Sequence, residues 1–168
     1  MRLASLFFPT SRSRRGQSLL EAIVAITALV VGLGGIFTLL SSALRNNRVV
    51  SDQATATYLA AEGIEVVKNM LDHNATIGAA WGTGFANGDF EADYTSDSLA
   101  SYLGQPIRFD ATTGVYGYAA GTATNFVRKI KITFVRSDEI AVNSTVSWTT
   151  GGTQSNVNLE DHFMNWRL

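Results

Sequence analysis

The sequence predicts an α+β fold in which a long N-terminal helix, membrane-spanning in its first half, packs on a C-terminal antiparallel β-sheet. Three observations carry this prediction. An uncharged apolar run opens the chain after a basic start, apolar residues then recur at three- and four-residue steps, and beyond residue 88 apolar and polar residues alternate between glycine turns. Helix first and strands afterwards is the order of an α+β domain whose helix covers one face of its sheet.

With 168 residues there is room for one ordinary domain and one long extra element. The chain is 46% hydrophobic and 16% charged with a formal net charge of -1, which supplies no basic field, so nucleic acid is not indicated as a partner. It has no cysteine, which excludes disulfides, thiolate metal sites and a cysteine nucleophile. His73 and His162 are far apart and lack metal-ligand spacing, so both read as surface or loop histidines, and neither a metal nor a cofactor is expected.

The first element is the run from Ala22 to Leu44, AIVAITALVVGLGGIFTLLSSAL, which as a helix rising ~1.5 Å per residue crosses a ~30 Å hydrocarbon core. Arg2, Arg12, Arg14 and Arg15 precede it with no acid among them, so the positive-inside rule keeps the N-terminus cytoplasmic and sends everything after Arg45 outward. Ser41-Ser42-Ala43 resembles a secretory cleavage site, but the run exceeds the ~7–15 residues of a signal-peptide core.

Glu21 opens this run, where an acid costs about 2.5–3.5 kcal/mol if it reaches the bilayer centre. It ends the stretch Arg14-Arg15-Gly16-Gln17-Ser18-Leu19-Leu20-Glu21: a basic leader, a glycine, and a glutamate five places further on. This stretch is similar to the class III signal of type IV prepilins and type II secretion pseudopilins. The resemblance is specific from Arg14 to about Leu71 and architectural thereafter.

The resemblance implies that a membrane prepilin peptidase and methyltransferase cuts between Gly16 and Gln17 and methylates Gln17. It also implies that Glu21 pairs with the terminal ammonium of a neighbouring subunit, gaining about 4 kcal/mol at ~4 Å and an effective dielectric of ~20. That gain matches the cost of carrying the acid into lipid. The family usually has phenylalanine where this chain has Gln17, and glutamine there recurs in minor members; methylation would also keep Gln17 from cyclising and losing its charge. The implied partners are other pilin subunits, in a homo- or hetero-polymer, the peptidase, the inner-membrane assembly platform and the bilayer. The implied location is single-pass in the cytoplasmic membrane, then a cell-surface or periplasmic filament.

Past the membrane, Val50, Ala54, Tyr58, Ala61, Ile64, Val67 and Leu71 predict one helix face packed on the sheet, with Asp52, Gln53, Glu62 and Lys68 on the other. Gly32, Gly34 and Gly35 weaken the helix by roughly 1 kcal/mol each against alanine. Close helix packing explains them, and the family resemblance suggests that this stretch partly unwinds in the filament.

Residues 72–88, with Gly78, Gly82, Gly84 and Gly88, read as a loop that Trp81 and Phe85 pin to the core. Asp89 to Tyr94 alternates, predicting a strand with Phe90, Ala92 and Tyr94 inward and the acids in water; a calcium loop would need a glycine and a terminal glutamate that are missing. Strands follow at Ile107–Asp110 and Val115–Tyr118 around a Thr112-Thr113-Gly114 turn, and at Phe126–Val135 with Ile130, Ile132 and Phe134 on one face. Ile140, Val142, Val146 and Trp148 share a face of the next strand, Gly151-Gly152 turns the chain, and Val157 and Leu159 begin the return. The tail from Phe163 to Leu168 is expected to cover a sheet edge.

The chain carries no G-x-S-x-G, no Walker loop and no partnered histidine, so it is not expected to be an enzyme. The predicted organisation is a cleaved leader 1–16, a helix 17–71 that is transmembrane over about 22–44, and an extracytoplasmic sheet domain 72–168. The function expected is that of a minor pilin of a type IV pilus or related filament. A pseudopilin of a secretion or competence system uses the same N-terminal device, and the retained Glu21 argues against its tip-most member, which in that family lacks the acid. An uncleaved single-span protein with a surface ligand-binding domain is the reading from a different class.

Overall fold

The computed structural model describes residues 15–166, with side chains from Ser18 onward. The leader positions Arg2, Arg12 and Arg14, and Leu168, lie outside the described residues, as do the side chains of Arg15, Gly16 and Gln17. The fold is α+β, with one N-terminal helix and a seven-stranded antiparallel sheet. The chain divides into two compact units, Met1–Asn46 and Asn47–Leu168.

The helix α1 spans Arg15–Thr76 and is unbroken through Gly32, Gly34 and Gly35. It ends five residues later than predicted, because nothing in Asp72-His73-Asn74-Ala75-Thr76 breaks a helix. Termination comes at Gly78, whose φ of +72° is a left-handed conformation that glycine adopts without a Cβ clash. The Ile77 amide donates to the His73 carbonyl at 3.0 Å and the Ala79 amide to that of Asn74 at 2.9 Å, which satisfies carbonyls of the last turn.

Seven strands follow: β1 Gly88–Glu91, β2 Ala100–Ser101, β3 Pro106–Asp110, β4 Val115–Gly117, β5 Thr122–Arg136, β6 Glu139–Thr150 and β7 Thr153–Met164. Central β5 is flanked along one side by β6 and then β7, and on the other by β1 near Ile130 and by β3 near Thr122–Val127. The β6–β7 hairpin closes at Thr150↔Thr153 across Gly151 and Gly152, both at positive φ, the geometry whose twist matches the strands it joins. The hydrophobic alternation forecast for β5 and β6 holds: Ile130, Ile132, Ile140, Val142, Val146 and Trp148 are all buried.

The helix packs on this sheet, by the predicted face only over its last turns. The last part of the predicted face does pack, with Val67 and Leu71 buried and Ile64 against the core, but Val50, Ala54, Tyr58 and Ala61 are exposed, Tyr58 at 78%, and Ala56, Leu59, Ala60 and Val66 are buried in their place. The reason lies in backbone approach. Ala56, Ala60 and Gly63 form a small-residue seam that lets the helix come down on β6, and a Cβ built on Gly63 would stand 2.4 Å from Ser144 Oγ. Asp52 and Glu62, assigned to the solvent face, turn to the sheet: Asp52 accepts from Thr150 Oγ1 and Glu62 faces Arg128.

Two further expectations fail in the β1 region and the tail. Phe90 and Ala92 face the core and Asp89 is exposed as predicted, but Glu91 and Asp93 are buried and Tyr94 is 59% exposed, because β1 ends at Glu91 and the chain turns. Asp93 Oδ1 accepts from the amide and hydroxyl of Thr95 and from Ser96 Oγ, and Glu91 Oε2 accepts from the Leu103 amide at 3.3 Å. Among the described residues the tail does not cover an edge: Phe163 and Met164 extend β7, which is itself the edge strand, and Trp166 is 80% exposed.

Candidate functional site

In the first unit α1 presents Leu19, Leu20, Ile23, Val24, Ile26 and the following large apolar residues to the exterior, most of them more than half exposed. Such a surface has no favourable contact with water and is stable in contact with lipid or with other apolar helices. The helix is long and apolar enough to cross a membrane. Thr27 and Thr38 hydroxyls donate back to the carbonyls of Ile23 and Gly34, at 2.7 and 3.0 Å, so their polarity is satisfied within the helix.

Glu21 lies on this helix, exposed between Leu20 and Ala22, with no hydrogen-bond or ion-pair partner among the described residues. Gln17 lies four residues before it on the same helical backbone, about 6 Å away along the axis. Gly16 and Gln17 fall within the helical backbone, and nothing in the structure reports on the cleavage or methylation assigned to them.

The second unit contains a polar cluster that sequence reasoning missed. Arg128 is 1% exposed between the helix and the sheet. Its Nη1 donates to the Leu59 carbonyl at 2.9 Å and stands 3.4 Å from Glu62 Oε1, and its Nη2 donates to the Ala92 carbonyl. Four buried polar atoms in this region, Glu62 Oε1, Tyr118 OH, Arg128 Nε and Ser144 Oγ, form no hydrogen bond within the described residues. Burial pushes the Tyr118 phenol up, and the positive charge of Arg128 opposes that. The Asp93 carboxyl is raised by burial, but the hydrogen bonds from Thr95, the Tyr118 amide and Ser96 outweigh this and hold it below its ordinary value. The cluster ties α1 to β5 and β6 and to the segments that follow β1 and β4.

His162 is the second feature read as bland. Its Nδ1 lies 2.7 Å from Glu139 Oε1 and its Nε2 3.2 Å from Glu160 Oε1, and the hydrogen bonds to these two acids, Glu139 first, raise its proton affinity. Glu139 also pairs with Arg136 at 2.7 Å. His73 is an exposed residue of the last helical turn. Among the described residues no three His, Asp or Glu side chains are grouped as a metal would require.

Comparisons of the chain with protein-family models, with curated proteins and with solved structures give no match.

Proposed function

We propose that this chain is a filament subunit, a minor pilin of a type IV pilus or related assembly, made as a membrane-inserted prepilin. In this reading it is cut after Gly16, methylated on Gln17, and assembled by helix packing with Glu21 paired to a neighbour's amino terminus. The role is structural rather than catalytic.

The observation that carries the proposal is the conjunction on one helix. An apolar, unburied membrane-length segment begins with a carboxylate that has no partner among the described residues, and the same helix continues into a half that packs on an antiparallel sheet. A simple anchor has no use for Glu21, since leucine or alanine would cross the bilayer at lower cost. A polymerising subunit does use it: only the neighbour that brings an ammonium to Glu21 relieves the penalty, which fixes the stagger between copies. The stretch Arg14-Arg15-Gly16-Gln17 supplies a cut site at the position that would create that ammonium.

The test is co-expression with a prepilin peptidase, followed by intact mass and N-terminal sequencing of the membrane-extracted product. A mature chain beginning at methylated Gln17 is expected. Glu21→Ala should be cut normally yet fail to enter filaments. A product that retains Arg2, or begins after Ala43, overturns the reading.

A further inference from the structure

Three strands edge the sheet, and among the described residues only one of them is long. β2 has two residues and β4 three, whereas β7 runs for twelve, Thr153–Met164, paired to β6 without a register shift. A long edge is an open template for another strand, and folds commonly guard it with lysine, proline or a bulge. β7 has none of these, and from Thr153 to Leu159 it carries no charge.

The hairpin fixes which backbone groups are on offer. In a two-residue hairpin the closing pair, here Thr150↔Thr153, exchanges both backbone bonds, so the odd residues of β7 bond to β6 and the even ones turn their N–H and C=O outward. The His162 amide accordingly finds its acceptor in the neighbouring Asp161 Oδ1, at 2.8 Å, which caps that end of the edge. Asn156, Asn158 and Glu160 aim their backbone groups the same way.

We infer that this edge pairs antiparallel with β7 of a second copy, about a two-fold axis at Asn158. Only registers that oppose even residues to even residues align the outward groups, and this one uses nearly the whole strand. It sets Val157 against Leu159 twice, on the face where both are half-buried beside the core cluster of Val146 and Trp148, so the pair extends apolar contact already made by folding. Asn156 falls opposite Glu160 and Ser155 opposite Asp161, so each carboxylate faces a neutral hydrogen-bond donor. The neighbouring centres are worse: Val157 as centre leaves Leu159 against Ser155, Leu159 as centre sets Asp161 against Val157, and Glu160 as centre opposes that acid to itself.

The two-fold also sets direction. Ala56 and Leu59 share a cluster with Val157, and Val67 and Leu71 share one with Phe163, so the outer half of α1 advances along β7, and pairing runs the two helix halves antiparallel. Neighbours along one filament point the same way, so this contact joins copies from two separate assemblies. The inference goes beyond the filament reading and does not depend on it.

The experiment is disulfide trapping of the full chain in detergent micelles under mild oxidation, the native chain having no cysteine to give background. Opposed Cα atoms of a hydrogen-bonded pair lie about 5.5 Å apart, within disulfide reach. Asn158→Cys should link to itself. Asn156→Cys and Glu160→Cys should link readily when mixed and at least several-fold more slowly alone. No Asn158→Cys linkage, or equal self-linkage at all three positions, would overturn the inference. In the Asn158→Cys background, Asn156→Glu places a carboxylate opposite Glu160 at both ends and should slow linkage roughly tenfold, and adding Glu160→Gln should restore it. Linkage indifferent to Asn156→Glu, or not recovered by Glu160→Gln in chains whose near-UV circular dichroism is unchanged, would also overturn it.

Discussion

Gly63→Ala tests the packing of the helix on the sheet, because two well-known effects there have opposite signs. In an ordinary helix interior the substitution stabilises by about 1 kcal/mol, since alanine loses less backbone entropy than glycine. At Gly63 the added methyl would stand 2.4 Å from Ser144 Oγ, 3.1 Å from Arg128 Cδ and 3.3 Å from Ser144 Cβ. Rotation of the serine hydroxyl relieves the first contact. The other two remain, because Ser144 is fixed in β6 and Arg128 is held by Leu59, Ala92 and Glu62. Overpacking of this kind costs about 1–3 kcal/mol, so a net loss of roughly 1–2 kcal/mol is expected. For a unit of this size that lowers Tm by about 3–10 °C, measured by near-UV circular dichroism of the full chain in detergent. Adding Ser144→Ala removes the nearest atom and should recover part of the loss, giving a coupling of roughly 0.5–1 kcal/mol in a double-mutant cycle. A rise in Tm for Gly63→Ala would refute the close approach, and with it the assignment of Ala56, Ala60 and Gly63 as the buried seam.

Arg128→Met removes the donors to the Leu59 and Ala92 carbonyls and the counter-charge of Glu62, and should cost about 3–5 kcal/mol by urea denaturation; Arg128→Met with Glu62→Gln should recover part of it. The His162 proton affinity is raised by Glu139 and Glu160, so its contribution is complete below its ordinary 6.5 and disappears as pH climbs through the raised value. Thermal stability should therefore fall as pH rises above 6.5, and His162→Gln should flatten that part of the profile. The Glu160 carboxyl is held low by Asn143 and then His162, so its contribution is present above its ordinary 4.5 and is lost as pH falls through the lowered value; Glu160→Gln should reduce the acid sensitivity. At the β6–β7 turn, Gly151→Asn should be neutral or slightly stabilising in a thermal melt, whereas Gly152→Val, at a φ of +84°, should cost at least about 1 kcal/mol.

Strand pairing was legible wherever one face of a strand is apolar without interruption. Phe126, Ile130 and Ile132 on β5 and Ile140, Val142, Val146 and Trp148 on β6 keep one parity, so alternation alone placed them. Arg128 and Ser144 have that same parity, and this was the available signal that both point inward. It was passed over because an arginine among lysines reads as a solvated face, and only the packed structure supplies the Leu59 and Ala92 carbonyls that make its burial tolerable. The burial of Asp93 escaped the sequence for a related reason. Asp93 follows a short alternating run, but its partners Thr95, Ser96 and the Tyr118 amide come from a turn and from residues at β4, up to 25 positions away. Glu21 was readable because a charge in a long apolar run is conspicuous at the level of sequence alone.

The helix face shows where local pattern runs out. Apolar residues wind around its outer half on two sides, one through Val50, Ala54, Tyr58 and Ala61 and one through Ala56, Leu59, Ala60 and Val66, the predicted Val67 and Leu71 falling on the second, and periodicity cannot rank them. The sheet selects the second because Gly63 lies on it and permits the closest approach, while Tyr58 on the first would force its hydroxyl into an apolar interface without a partner. One stripe is thus consumed by folding and the other is left outside, with Val50 65% exposed. In a lone soluble domain that outer stripe would be a liability. In the proposed filament the side chains that folding leaves uncovered on this half of the helix are the ones that assembly would use.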